Sequence, residues 1–345
     1  MNASERVTIA GWGAVSAAGW GITSLFDAIQ ADAIKAPQRR QRDGARQSVE
    51  VRAVPQSVAS RRIRHPRLRR ASPQVKFAAS ACMEALGEER VVQVKAGELR
   101  LGIVFATMCG AVQYSNRFYQ EVIDEPATAS PILFPETVFN ATSSHLSAIF
   151  NSQAANYTVV GDSAEFLGAC RIAADWLHAG EVDGCLVVGS EELDWVSWEA
   201  MQLFDPRGIA SEGAGALYLE PAISGTKTIV LEAVTKPVLW LNHAEKASSA
   251  RLTRNGLPPD VSSSALLALS AMGHAKTDLA ELTAWSDWNG PRLALGRELG
   301  NCMGAGVALN AALACEHLVR GSASEAIVSA AGHHHQCLAA WLRSQ

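Results

Sequence analysis

The chain has 345 residues, 48% of them hydrophobic and 19% charged, and its 30 Lys and Arg against 34 Asp and Glu leave a formal net charge of −4. That is apolar material for more than one core-bearing unit, which excludes a largely disordered chain, and the charge balance excludes nucleic-acid binding by overall electrostatics. Its seven cysteines (Cys82, Cys109, Cys170, Cys185, Cys302, Cys315 and Cys337) are widely spaced without a C-x-x-C pair, which predicts reduced thiols and neither a disulfide framework nor a zinc site.

In chain order, RVTIAGWGAVS (6–16) reads as a buried strand running into a glycine turn. GITSLFDAIQAD follows as a helix, with Thr23 as its N-cap and Leu25, Phe26 and Ile29 at helical spacing. Lys35 to Arg70 holds 11 arginines and three prolines with little periodicity. It predicts an irregular, solvated connection whose cationic surface suits an acidic partner better than nucleic acid, because stacking aromatics are missing. ASPQVKFAASACMEAL is a helix with Ser72 as cap and Pro73 at its first position, and LRLGIVFAT is a second buried strand. The opening residues lack the basic and apolar regions of a signal peptide, and no apolar run reaches the roughly 18 residues of a spanning helix. A cytoplasmic protein without a transmembrane segment is expected.

YTVVGDSAEFLGAC (157–170) carries the chemistry. An apolar, buried-looking strand breaks at Gly161 and Asp162 into Ser163, and a helical pattern starts at once. Such elbows expose one side chain above a sheet beside a helix N-terminus, where enzymes mount nucleophiles. The helix LGACRIAADWLHAG stops at Gly180 and leads into the strand DGCLVVGSEE and then the strand EGAGALYLE. GAGVALNAALACEHLVRG followed by EAIVSAAG repeats that helix-and-strand outline, which predicts an α/β fold of two related units, 1–222 and 228–345, joined near Pro221–Thr228.

Four segments, in order, resemble the β-ketoacyl synthases of the thiolase superfamily. FPETVFNATSSHLSAIFNSQAANYTVVGDSAEF is similar to the family's F-P-x-T-x-x-N-x-x-x-x-H-L run and its T-V-V-T-A-C-A-S-G elbow. VTIAGWGAVSAAGWG resembles the first strand and turn, and FDPRGIASEGAGALYLE the G-E-G-A-G-x-L-x-L-E segment. The resemblance implies a thiolase-like five-layered αβαβα fold with two related halves, the second shortened, and a dimer formed across the segment leading into the elbow. It implies no cofactor and no metal.

The same resemblance implies lost catalysis. The family's elbow carries a nucleophilic Cys, replaced here by Ser163, a far weaker nucleophile without an adjacent base. The histidine of N-A-H-G-T-G-T has its counterpart in LTAWSDWNG, at Trp285 or Ser286, and that of K-S-x-x-G-H-x-x-G-A-A-G at Asn301, with the motif's lysine at Gly296. Replacement of three groups that act as a unit implies that condensation is gone. Such a subunit resembles a chain length factor. Its partners would be an active ketosynthase in a heterodimer and an acyl carrier protein, with no role for nucleic acid.

Other residues have defined expectations. His145 is a packed structural histidine, and His333 or His334 is a base that could serve Ser163 in an acyltransferase or thioesterase. Met108 and Cys109 line a former acyl tunnel. Arg61, Arg62, Arg64, Arg67, Arg69 and Arg70 form the partner-binding surface, and a third reading is a homodimeric scaffold that binds acyl carrier protein through the Arg39–Arg70 surface.

Overall fold

The computed structural model describes residues 6–42, 48–56, 63–222 and 228–345; Arg61, Arg62 and most of the predicted join lie outside them. The first part runs β1 (Val7–Ser16), β2 (Gly19–Trp20), α1 (Ile22–Gln30), β3 (Gln38–Arg40), β4 (Val49–Arg52), α2 (Pro73–Ala96), β5 (Leu101–Thr107), α3 (Val112–Asp124), α4 (Ala141–Phe150), β6 (Asn156–Val160), α5 (Glu165–His178), β7 (Gly184–Glu191), α6 (Trp195–Phe204), β8 (Ile209–Ser211) and β9 (Gly213–Pro221). The second runs β10 (Ile229–Val234), β11 (Val238–Leu239), α7 (His243–Asn255), β12 (Leu266–Ala268), α8 (Ala275–Ala284), β13 (Arg292–Leu293), α9 (Leu295–Leu299), α10 (Gly306–Val319), β14 (Glu325–Ala331) and β15 (Gln336–Ser344).

The topology repeats. Strands β1, β9, β7, β5 and β6 lie side by side in that order, and β10, β15, β14, β12 and β13 follow the same pattern. In each set the first two pairings are antiparallel and the last two parallel. Among the described residues the two half-sheets join only where Val7–Ile9 of β1 pairs with Ile229–Leu231 of β10. Between them lie α5 and α10, and one core cluster takes residues from both helices and from facing strands of both halves, among them Val187, Leu217, Val328, Leu338 and Leu342. A second cluster packs α2 and α4 on the outer face of the first half-sheet, and a third packs α7 and α8 on the second. This is the thiolase-like five-layered arrangement.

A helix can occupy the central layer only if it is apolar nearly all round, and α10 has nine buried non-polar residues from Val307 to Leu318, most of them alanine and leucine. It also lies unusually close to the sheet. A Cβ on Gly215 of β9 would sit 2.3 Å from the Ala308 carbonyl carbon, and one on Gly189 of β7 2.8 Å from the Ala308 Cβ. Glycine is therefore required at Gly215 by backbone approach, the reason for part of the glycine-rich segment read in the sequence.

Three local expectations change. Thr23 lies inside α1 and does not cap it; Gly21 is the N-cap and has no side chain to offer. Glu84 of α2 supplies the missing acceptor, its carboxylate taking the Ile22 N–H at 2.9 Å and the Ala14 N–H at 3.1 Å. The arginine-rich connection is not wholly irregular, because β3 and β4 form a separate three-stranded sheet with β8. Strand β6, apolar enough to read as buried, is an edge strand, with Tyr157 55% and Val160 47% exposed. By contrast Ser72 caps α2 as expected, accepting the Val75 N–H at 3.3 Å ahead of Pro73.

Leu309 is fully buried on α10, and truncating such a side chain costs about 2–5 kcal/mol. Leu309→Ala is expected to lower the free energy of unfolding by that amount in denaturant titration; a loss under about 0.5 kcal/mol, typical of surface sites, would contradict the central position of α10.

Candidate functional site

The elbow lies where β6 gives way to α5. Ser163 is 3% exposed, and its Oγ has no hydrogen-bond partner among the described residues. It faces a small cavity shared with Ser270, Met272, Cys302, Met303 and Asn310. Its neighbour Asp162 holds the elbow shut. One carboxylate oxygen accepts the Ala164 N–H at 2.9 Å, and the other accepts the His334 N–H at 2.6 Å. The carboxylate packs so tightly on the loop after β14 that a Cβ on Gly332 would sit 2.2 Å from its oxygen. Burial raises the Asp162 pKa, and the two amide donors and Lys246 act against that rise. Glu165, at the start of α5, accepts from the Gln336 side-chain amide.

None of this activates a serine. A general base must come within hydrogen-bond reach of the hydroxyl, and the histidines of the 333–335 loop do not. His334 and His335 are exposed, and His334 meets the elbow through its backbone N–H. His333 is partly covered, and burial pushes its pKa down to about 3. The carboxylates of Asp162 and Glu165 on either side would oppose an alkoxide.

The other predicted positions are scattered. Trp285 is 2% exposed in the outer core between α8 and the second half-sheet, where its indole N–H donates to Ser329 Oγ at 3.0 Å and it stacks edge-on with Trp288. Ser286 is exposed and donates to the Thr283 carbonyl. Neither reaches the elbow. Asn301 sits nearer, immediately before Cys302 and Met303, but it lines a different cavity, under α6. Its side-chain oxygen accepts the Met303 N–H at 2.8 Å, and its backbone bridges to Ile209 and Ser211 of β8.

Ser270, just beyond β12, is the residue that sequence reading missed. Its hydroxyl donates to Glu281 at 3.0 Å and accepts the Ala331 N–H at 3.0 Å, so it is fully engaged and no base. The only local signal for it was the glycine at 273 after an apolar strand, too little to place it opposite an elbow more than 100 residues earlier.

Met108 and Cys109 are half-buried at the end of β5, and both backbone N–H groups are held by the Glu191 carboxylate. Burial pushes the Cys109 thiol up to about 12, which leaves it protonated and unreactive. His145 is structural: its Nε2 lies 2.9 Å from Glu136 and ties the segment before α4 to that helix. Arg64, Arg67, Arg69 and Arg70 are exposed and form no ion pair among the described residues. Also among the described residues, no three His, Cys, Asp or Glu side chains are grouped to hold a metal, and no helix is long and apolar enough to cross a membrane.

These features define a thiolase-like protein with a closed elbow. Residues 4–216 match the family model for the β-ketoacyl synthase N-terminal domain, and the chain belongs to the β-ketoacyl synthase family. No curated protein matches it by sequence. Solved structures share its fold over nearly all of both chains. The ishigamide ketosynthase/chain length factor has a TM-score of 0.80 at 19% identity, covering 98% of this chain and 99% of that one. A β-ketoacyl synthase from Burkholderia phymatum has 0.80 at 16%, covering 99% of each. A ketosynthase in complex with its chain length factor from Xenorhabdus doucetiae has 0.80 at 12%, covering 99% and 98%.

Three buried glutamates set the pH response of this region. Burial pushes the pKa of Glu191 up to about 8 and those of Glu192 and Glu281 up to about 7. Each binds its proton more tightly folded than unfolded, so their contribution to stability is full below the unfolded value of 4.5 and is lost progressively as pH rises from there to about 7 to 8. Unfolding free energy should therefore drop between about pH 5 and pH 8, most steeply below pH 7 where all three contribute, and Glu191→Gln should flatten the slope. A wild-type slope of zero or opposite sign would contradict the burial of these carboxylates.

Proposed function

We propose that this chain is a non-catalytic, ketosynthase-like subunit of the chain length factor type, which pairs with an active β-ketoacyl synthase and helps shape the site in which that partner extends an acyl chain. The observation that carries the reading is the Ser163 hydroxyl, buried at the nucleophile position with no base in reach. Ser270, in place of Trp285 or Ser286, is the better counterpart of the family's first histidine, since it shares the elbow's cavity. With Asn301 at the second, no catalytic group of the family's set remains. A Ser163-dependent acyltransferase or thioesterase is disfavoured for the same reason.

Pairing is supported by an uncovered apolar region. All of α3 lacks a buried residue, although Phe118 and Phe134 pack ring to ring at 5.6 Å. Tyr119, Ile123, Ile132, Phe134 and Phe139 are exposed, and β6, which follows α4, adds Tyr157 and Val160 along a free strand edge. Monomers seldom leave such edges and apolar groups uncovered. The acidic partner of Arg64, Arg67, Arg69 and Arg70 would be an acyl carrier protein, for which charge complementarity sets encounter rate more than affinity.

The test is co-expression with the ketosynthase encoded nearest to it, followed by assay with acyl carrier protein and a malonyl donor. Turnover should require this chain, survive Ser163→Ala within about twofold, and fall roughly tenfold or more in Tyr157→Asp/Val160→Asp as the complex separates on gel filtration. Loss of turnover in Ser163→Ala with the complex intact would mean that the elbow holds a nucleophile. A ketosynthase equally active and unchanged in product without this chain would point to a homodimeric scaffold.

A further inference from the structure

A cleft opens on the outer side of the first half-sheet, apart from the elbow. One wall is α2, whose Pro73, Lys76, Phe77 and Ser80 follow the i, i+3, i+4, i+7 spacing of a single helix face. The other side is the segment 53–55 that leaves β4, with Ile63 and Leu68 beyond it. Trp20 ties the two together: its indole N–H donates to the Pro55 carbonyl at 2.8 Å, and its ring meets Phe77 edge-on at 5.7 Å. The cleft shares no lining residue with the cavity at the elbow or with the one under α6.

Its polar groups are unevenly committed. Ser80 is 8% exposed, and its Oγ has no hydrogen-bond partner among the described residues, not even the carbonyl one turn back that helical serines commonly use. Lys76, half-buried one turn before it, and Arg40, exposed at the end of β3, form no ion pair among the described residues. The carboxylate in the cleft, Glu212, is already engaged, accepting the Val54 N–H at 2.9 Å and the Leu193 N–H at 3.0 Å. Burial raises its pKa, and those two amides and Arg40 act against the rise. Gln56 and Gln113 are exposed, and the Gln113 side-chain amide donates to the Leu193 carbonyl at 2.8 Å. That leaves two cations and a buried hydroxyl beside an aromatic pair, and a buried polar atom without a partner favours a ligand that supplies one.

We propose that this cleft binds a small monoanionic carboxylic acid with an aromatic body. Positions 76 and 80 are neighbours on the helix surface, so one carboxylate can pair with the Lys76 ammonium while it accepts the Ser80 O–H, and such charge-assisted bonds are stronger than neutral ones. Arg40 adds positive charge from the end of β3. The ring packs against Phe77, Ile63 and Leu68. From Pro73 to Ser80 the helix face is about 10 Å long, at roughly 1.5 Å per residue, which suits one ring carrying a short acid chain. A dianion fits less well, because the Glu212 carboxylate repels its second charge. The site does not depend on the auxiliary role argued above: it is present in a paired or an unpaired chain.

The probe is para-fluorophenylpropionate, titrated with the full chain and followed by fluorine NMR. Saturable binding is expected, with the neutral para-fluorophenylpropanol binding about tenfold more weakly. Lys76→Gln should weaken binding of the acid about tenfold and leave that of the alcohol within about twofold, whereas Ser80→Ala should weaken the acid roughly fivefold. Equal binding of acid and alcohol, binding of the acid that ignores both Lys76→Gln and Ser80→Ala, or displacement of the probe by an equal concentration of inorganic phosphate would overturn the proposal. Both substitutions are mild in a helix, and should either fail to fold, the comparison of acid with alcohol on the wild-type chain decides alone.

Discussion

Everything in this molecule depends on burying two helices, α5 and α10, between two half-sheets. Both are covered along most of their surface, so the strands that flank them must supply apolar side chains on one side and, at Gly215 and Gly189, no side chain at all. With α5 fixed in the middle layer, its N-terminus can appear in only one place, at the meeting of β6 with the loop after β14. The position of Ser163 is thus set by packing far from the serine itself.

What the elbow does there is decided by charge. A helix N-terminus can stabilise a thiolate or an oxyanion, but here Asp162 already occupies the local donors. Its carboxylate takes one amide from α5's own start and one from the facing loop, and so joins the first half of the fold to the second. Lys246, itself buried and with its pKa lowered by that burial, adds a compensating positive charge nearby. At this elbow Asp162 ties the start of α5 to the loop after β14, while the Ser163 hydroxyl has no hydrogen-bond partner among the described residues.

Much of this was legible in the sequence because it is local. The alternation of strands and helices, the Ser72–Pro73 helix start, the glycine stops at Gly180 and Gly321 and the elbow at Ser163 all follow from neighbours in the chain. The failures are all long-range. Thr23 has the chemistry of a cap, yet Glu84, on another helix, does its work. Strand β6 has an apolar sequence whether its neighbour is inside the fold or is another chain. Trp285 and Ser286 matched a motif by spacing, but they lie in the outer core and at the surface of the second half, and the residue that shares the elbow's cavity comes from just beyond β12. The arginine-rich connection gave no period because its two strands are short and pair partly with β8, far along the chain. Asn301 lies two residues before Met303 in the chain, and only the structure separates its cavity from that of Ser163.

The proposed auxiliary role joins two observations, an elbow whose serine has no base in reach and an edge strand with exposed apolar groups. The most direct test of that account is amide hydrogen exchange of the chain alone and with the active ketosynthase. Slowed exchange across Tyr157–Val160 and α3 on mixing, with little change at α7 and α8, is the predicted result. Protection confined to other faces, with β6 exchanging as fast in the mixture as alone, would contradict it.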